Sequence, residues 1–336
     1  MHTPRFFPRR RPLSDCGDSD YRRAPGGNGA RALNCNNARA LNYHRRPDRH
    51  DRHDCPNRPD FRRLLALCAL FCLCLCFLPA CADSRPSGEI LLIFDGKSCV
   101  SSDGRALQHE ETDTVYTIVK PGTYRLTGTL DDGQLCVSLS SRQAVTLILD
   151  NWQASCSTSA PLYIKQAQSA VILLAPDSQN RLIDARSYVY VQGETKPNAC
   201  LYAATDLTLR GDGTLRIQGN ANNGIGCRKH LKIEDGTYRI RAVNNAIKGN
   251  DRVTIEGGDI TVTRCHDGIK TDNTGAKKGI LTIRGGNISI TASDDAFQAS
   301  REIVITNGEI AVSVGGKAVN CDGNISVSVR ILTKNN

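Results

Sequence analysis

The sequence is poor in several features that mark common protein classes. Among its 336 residues there is one methionine and one tryptophan, and aromatic residues make up only 5%. No two of its 15 cysteines have Cys-x-x-Cys spacing, which argues against a zinc site. Seven cysteines follow residue 82, and this odd number argues against a dense disulfide framework. We expect those seven to be mostly buried free thiols, with one disulfide at most.

The net charge is +9, but the basic residues are not distributed as in a nucleic-acid-binding protein. Residues 1–63 hold 15 arginines and seven aspartates but no lysine, which gives them a net charge of +8. The rest of the chain has 28 basic and 27 acidic residues, so we expect no nucleic-acid partner. Residues 1–63 have almost no apolar periodicity and are predicted to be a disordered basic leader. We favour a start site assigned too far upstream over a functional basic tail.

A short apolar run follows the leader. Arg62 and Arg63 precede 14 apolar residues at 64–77, and Leu-Pro-Ala-Cys81 comes next. These are the parts of a secretory signal, and the run is too short to span a bilayer comfortably. Residues 64–81 are therefore predicted to direct export. The last four residues resemble a lipoprotein box in which Cys81 is lipidated, and ordinary signal-peptidase cleavage is the alternative. We expect a secreted protein or a bacterial outer-membrane or cell-surface lipoprotein, attached to the membrane only by its lipid.

Repetition is what the sequence has in abundance. A short motif recurs at intervals of 22, 22, 28 and 22 residues, and its copies begin at Asn222, Asn244, His266, Asp294 and Gly316, with a weaker sixth at Asn198. The third position is small in every copy and the fourth is apolar. A column that is always small beside one that is always apolar indicates that the copies lie on top of one another. Each copy is therefore predicted to be one coil of a solenoid.

Two short alternating segments joined by glycines follow each motif. Residues 253–262 read VTIEGGDITV, and residues 281–290 read LTIRGGNISI. Alternation rich in Ile, Val and Thr predicts strands, and the glycine pairs predict corners. The chain is therefore predicted to be all-β, with a parallel β-helix of about 22 residues per coil over residues 115–336, after a linker and N-terminal cap over 82–114. Six extra residues near 272–278 predict a loop, and such insertions often fall on a functional face.

The motif also contains the candidate site residues. If the fourth position points inward, the second and fifth positions should point outward and form a ladder of Asn and Asp with basic neighbours. Such oxygen donors suit Ca²⁺, which takes six to eight oxygen ligands. The alternative is structural, because Asn and Asp at turns also stabilise coils through local hydrogen bonds, and the spacing leaves both open. The candidate metal ligands are Asp267, Asp294, Asp295, Asp272, Asn245 and Asn223.

Residues 115–329 resemble a family of calcium-associated β-helical proteins called carbohydrate-binding domain-containing proteins. The matching stretches are Lys120–Leu130, Val145–Leu149, Lys196–Tyr202 and, most specifically, His266–Asn273. The resemblance implies an exported right-handed parallel β-helix, similar to pectate lyases, that binds cellulose-type or acidic polysaccharides. It also implies Ca²⁺ held by the aspartates of the repeated motifs. Asn223, Asn245 and Lys317 stand where the family commonly has Asp.

We therefore expect an exported, calcium-dependent monomer that binds an acidic or cellulose-type polysaccharide without cleaving it. The expected carbohydrate contacts are Lys248, Lys270, His266 and Gln298. One alternative is a Ca²⁺-dependent lyase in which Lys248 or Lys270 removes the C5 proton of a uronate. A second alternative is a structural surface adhesin. Trp152 is the only tryptophan, so a flat platform of stacked aromatics for crystalline cellulose is not expected.

Overall fold

The computed structural model describes residues 88–109, 114–189 and 196–334, which belong to one compact unit. The predicted leader and signal, including Cys81, lie outside these residues. The described segments contain 28 strands and no α-helix, so none of their residues belongs to a helix that could cross a membrane. The strands are β1 (Glu89–Gly96), β2 (Ser98–Ser101), β3 (Leu107–His109), β4 (Val115–Ile118), β5 (Gly122–Leu130), β6 (Gln134–Ser138), β7 (Val145–Ser155), β8 (Leu162–Gln166), β9 (Ser169–Leu174), β10 (Gln179–Ile183), β11 (Ala199–Ala203), β12 (Asp206–Gly211), β13 (Thr214–Gly219), β14 (Asn223–Cys227), β15 (His230–Ile233), β16 (Thr237–Ala242), β17 (Ile247–Gly249), β18 (Arg252–Ile255), β19 (Asp259–Arg264), β20 (Ile269–Thr271), β21 (Ile280–Ile283), β22 (Asn287–Ala292), β23 (Phe297–Ala299), β24 (Glu302–Ile305), β25 (Glu309–Val314), β26 (Val319–Cys321), β27 (Asn324–Val327) and β28 (Ile331–Thr333).

These strands stack in three parallel ladders, and each regular coil contributes one strand to each ladder. Ladder 1 contains β1, β5, the first half of β7, β9, β12, β15, β18, β21, β24 and β27. Ladder 2 contains the second halves of β1, β5 and β7, which pair in that order, then β10, β13, β16, β19, β22, β25 and β28. Ladder 3 contains β4, β6, β8, β11, β14, β17, β20, β23 and β26. The predicted parallel β-helix is confirmed.

The predicted stacking of the motif copies is also confirmed. Successive ladder-3 strands are paired through one apolar column, formed by Leu201, Ile225, Ile247, Ile269, Phe297 and Val319. The third motif position is small because adjacent coils approach closely there. A Cβ added to Gly268 would lie 2.4 Å from the carbonyl oxygen of Ala296 in the next coil. The small column therefore follows directly from the packing of one coil on the next.

The interior is a continuous apolar core, and Trp152 and most of the cysteines are buried in it. Trp152 is fully buried and its ring centroid lies 5.6 Å from that of Phe94, so it belongs to the core. The seven cysteines of the described segments are all free thiols, and five of them are buried. Burial raises the pKa of the Cys227 and Cys265 thiols to about 12. These thiols are therefore protonated and packed as small core residues.

The two ends of the solenoid differ. At the N-terminal end β2 pairs antiparallel with β1, and β3 pairs antiparallel with β4. These antiparallel strands cover the first edges of ladders 1 and 3, which would otherwise present unpaired backbone groups. At the other end the side chains of Ile325, Val327 and Leu332 are exposed.

The corners between ladders position the candidate site. In the coil that starts at Ile247, the chain passes from ladder 3 to ladder 1 at Asn250 and Asp251, and from ladder 1 to ladder 2 at a glycine pair. The chain then turns from ladder 2 to ladder 3 at the repeated motif, which in this coil begins with His266–Gly268. The extra loop, predicted near 272–278, covers residues 272–279 and lies at the ladder 3 to ladder 1 corner of the following coil. The motif and this loop are therefore at opposite ends of a ladder-3 strand.

Candidate functional site

The second position of the motif points inward, so the predicted outward ladder of Asn and Asp is wrong. Only 1% of Asn223, 2% of Asn245, 2% of Asp267 and 4% of Asp295 is exposed. The alternation of side chains holds only along an extended strand, whereas these residues lie in or beside a tight corner. The corner turns their side chains beneath the backbone of the next coil.

Most of these buried side chains bind the next coil. Oδ1 of Asn223 accepts hydrogen bonds from the backbone N–H of Asn245 (3.2 Å) and from its Nδ2 (2.6 Å). Oδ1 of Asp267 accepts from the N–H of Asp295 (3.3 Å), and Oδ1 of Asp295 accepts from the N–H of Lys317 (2.8 Å). Asn223 and Asp295 therefore stabilise the stacking of coils through hydrogen bonds, as the structural alternative to metal binding predicted. The series is interrupted at Asn245, whose buried Oδ1 has no partner among the described residues.

Next to this interruption, Asp267 comes together with two further candidate residues, His266 and Asp294. His266 Nδ1 lies 3.2 Å from Asp267 Oδ1 and 3.7 Å from Asp294 Oδ2, and ligand atoms of the three residues lie within 4.8 Å of one another. Lys270 Nζ donates to Asp267 Oδ2 at 3.0 Å. We call His266, Asp267, Lys270 and Asp294 the corner cluster. Because His266 and Asp294 are the first motif position in successive coils, coil stacking brings them together.

The corner cluster keeps one buried carboxylate ionised. Burial by itself raises the pKa of Asp267, but the Lys270 ammonium and the hydrogen bonds from His266 and the Asp295 N–H outweigh it. The resulting pKa of Asp267 lies below its ordinary value. A buried carboxylate that stays charged needs such partners, because an unpaired one would be costly.

Two of the predicted metal ligands are held elsewhere. Both oxygens of Asp295 are hydrogen-bonded, Oδ1 to the Lys317 N–H and Oδ2 to Asn320 Nδ2 at 2.6 Å. Asp272 forms an ion pair with Lys248 at 2.6 Å. It follows strand β20, whereas Asp267 precedes that strand, so the two carboxylates lie at opposite ends of it. The six predicted ligands therefore do not form one site.

The candidate donors at the corner cluster suit a small oxygen-rich cation site, and an ion there would replace hydrogen bonds that both Asp267 oxygens accept. Asp267 and Asp294 supply carboxylate oxygens, and Asn245, in the coil before Asp267, has a buried amide oxygen without a partner. Half of the Asp294 side chain is exposed, so water or a ligand can reach the site. Ca²⁺ prefers carboxylate, amide and water oxygens and accepts an incomplete protein shell. These three residues would hold such an ion, and it would supply positive charge at the surface.

Three of the four predicted sugar-contacting residues, Lys248, Lys270 and Gln298, form an outward column on ladder 3, whereas His266 lies in the corner cluster. Lys248 pairs in register with Lys270, and Lys270 pairs with Gln298. Both ammonium groups are engaged, Lys248 with Asp272 and Lys270 with Asp267. A general base has to be neutral, whereas each of these lysines is placed as the ammonium partner of a carboxylate.

Sequence analysis missed a group of arginines on ladder 2. Arg181, Arg216 and Arg239 pair in register in successive coils, and Arg241 pairs with Arg264 beside them. Arg181, Arg216, Arg239 and Arg241 line a groove of about 440 Å³. The signal was present as arginines at alternate positions of aligned segments, such as Tyr-Arg-Ile-Arg at 238–241, but it becomes visible only once the coils are in register.

Comparisons with known proteins agree with the fold and with the family resemblance. Residues 112–330 match the family model for carbohydrate-binding domain-containing proteins. A carbohydrate-binding domain-containing protein of Acetivibrio thermocellus is 40% identical over 250 residues, which cover 74% of this chain and 86% of the relative. A solved structure, described as a gadolinium derivative of the polysaccharide lyase-like protein from C. thermocellum, is 39% identical. It superimposes with a TM-score of 0.70 over 73% of this chain and 99% of that one.

Proposed function

Because this chain belongs to the family of carbohydrate-binding domain-containing proteins, we propose that it is an exported, monomeric module that holds an acidic polysaccharide without cleaving it. The observation that carries the proposal is the ladder-3 column beside the corner cluster. It places two ammonium groups in adjacent coils next to exposed and buried carboxylates. A linear polymer with regularly spaced carboxylates suits such a regularly spaced surface.

Ca²⁺ is proposed as the mediator between the corner cluster and the polymer. Asp267, Asp294 and Asn245 offer fewer oxygens than the six to eight that Ca²⁺ takes, so uronate carboxylates and water would complete its shell. Lys270 would compete with the ion for Asp267, because its ammonium group already binds that carboxylate. The solved relative is described as a gadolinium derivative, and Gd³⁺ is a hard cation that also prefers oxygen ligands. A luminescent lanthanide is therefore a suitable probe for this site.

Lyase activity is the second candidate, suggested by the lyase-like description of the solved relative, and its base would be Lys248 or Lys270. Both functions are tested by incubating the protein with polygalacturonate and Ca²⁺ while following retention and the absorbance of unsaturated product. Retention without new absorbance supports the binding module. Steady product formation that disappears in Lys248→Ala or Lys270→Ala would establish the lyase. If no acidic or neutral glycan is retained, the structural adhesin is the function that survives.

Export is proposed to depend on residues 64–81, with Cys81 as the lipidated residue. Fractionation of bacteria that express the full chain tests this directly. The wild-type protein should be found with the membranes, and Cys81→Ser should release it into the soluble exported fraction. A protein that stays in the cytoplasm in both cases would refute the proposal.

A further inference from the structure

Ladder 2 has an unusual distribution of charge. Along the ladder 1 to ladder 2 corner, cations and carboxylates alternate: Lys232 pairs with Glu234 and Glu256, and Glu256 pairs with Arg284. The arginines of ladder 2 lie next to one another instead. Arg181, Arg216, Arg239, Arg241 and Arg264, which we call the arginine groove, form two adjacent columns.

Four of these five arginines have no carboxylate partner. Only Arg239 forms an ion pair, with Asp259 at 3.2 Å. Arg181, Arg216, Arg241 and Arg264 are exposed and have no ion pair within the described part of the chain. Residues paired in a ladder are about 4.8 Å apart, so like charges at these positions repel one another. The arrangement costs stability, and an anion between the guanidinium groups would relieve it.

A local irregularity of the backbone extends the groove. The register between β16 and β19 shifts after Ile240, so that Arg241 pairs with Arg264 and Thr263 is the extra residue. Without this bulge Arg241 would lie opposite Thr263, and the second column would lose its second cation. Arg241 also lines a second cavity of about 430 Å³ that contains Arg264 and borders the larger one. The two cavities therefore share Arg241, and together their lining residues come from several coils.

We infer that the arginine groove binds the carboxylates of a linear polyuronate whose chain runs along the solenoid axis. Arginine suits this role because its planar guanidinium group binds a carboxylate through two parallel hydrogen bonds. The side chains between the arginines, among them Gln179 and Gln218, can bind sugar hydroxyl groups. The described residues that line the groove include no aromatic side chain, so it lacks the stacking platform of a single-stranded nucleic-acid site. The inference rests on the proposed function but assigns the polymer a second, metal-independent surface.

Binding of the full chain to polygalacturonate in the presence of EDTA tests the inference, with carboxyl-reduced polymer and single-stranded DNA as further probes. Arg216→Gln combined with Arg241→Gln should weaken binding of polygalacturonate about tenfold or more, since two charge-assisted contacts are lost. The matched control, Lys232→Gln with Arg284→Gln, removes the same charge from another face and should bind as wild type. All variants share the basic leader, so its contribution to affinity cancels. The groove variant should melt no lower than wild type, because it removes repulsion.

The other outcomes separate the two proposals. If wild type binds polygalacturonate and the groove variant binds equally well, the groove is not the site, while the proposed function stands. An equal loss in the control variant would mean nonspecific charge attraction and would also refute the groove. Single-stranded DNA bound as tightly as polygalacturonate, and lost in the same variant, would replace the polysaccharide by a nucleic acid. If wild type retains no polyuronate with Ca²⁺ or with EDTA, the proposed function itself fails.

Discussion

Lys270 Nζ lies 3.0 Å from Asp267 Oδ2, and this contact explains how a carboxylate that is only 2% exposed remains charged. The two residues are three positions apart on either side of the turn into β20. Asp267 also accepts the N–H of Asp295 from the next coil. The Asp267 side chain therefore binds the next coil through one oxygen and, through the other, binds Lys270 on the proposed ligand surface.

Replacement of Lys270 by methionine should destabilise the protein by about 2 kcal/mol, because it leaves the Asp267 charge buried without its main partner. The expected cost is smaller than for a fully buried pair because Lys270 is partly exposed. Urea denaturation measures it. The double variant Asp267→Asn, Lys270→Met should regain part of the loss. A single Lys270→Met variant as stable as wild type would show that the contact does not support Asp267.

Millimolar Ca²⁺ should raise the melting temperature, because an ion that binds only the native state stabilises it. Asp267→Asn and Asp294→Asn should each abolish most of the shift, whereas Asp272→Asn should keep it, since Asp272 is paired with Lys248 away from the corner cluster. Thermal melts with and without EDTA, and luminescence of bound Tb³⁺, provide two independent measurements. Loss of the shift in Asp272→Asn alone would place the ion at the loop instead.

Ile247→Asp should prevent stable folding, with a loss of more than about 4 kcal/mol, because it buries an unpaired carboxylate in the central apolar column. Val243→Asp is the matched control. Val243 lies four residues earlier, at the end of the preceding coil, and is 62% exposed, so this variant should fold normally. Circular dichroism and the yield of soluble protein compare them. Equal stability of the two variants would contradict the inward placement of the column.

His230 should make the protein less stable as the pH falls. Burial, and then the nearby Arg252, hold its pKa below the ordinary value, and its Nε2 lies 2.9 Å from Thr254 Oγ1. The unfolded chain binds a proton near pH 6.5 but the folded chain only at lower pH, so the unfolded state takes up more protons in that range. The stabilising contribution is therefore complete above about pH 6.5 and is lost as the pH falls through the folded pKa.

Urea midpoints at about pH 7.5 and about pH 5 measure this effect. His230→Gln keeps a polar side chain but does not titrate, so its midpoint should fall less between the two pH values. If wild type and His230→Gln lose the same stability, the titration of His230 does not contribute.

The sequence determined the path of the coils, and the tertiary structure decided which side chains meet. Ile225, Ile247 and Ile269 could be aligned from spacing alone, because every coil must repeat the same small and apolar positions to stack. The direction of Asn245 and Asp267 could not, because side-chain alternation is a property of extended strands and these residues lie at corners. The pairing of Arg241 with Arg264 likewise depends on one extra residue in β19, which changes a register that the repeat alone would have predicted differently.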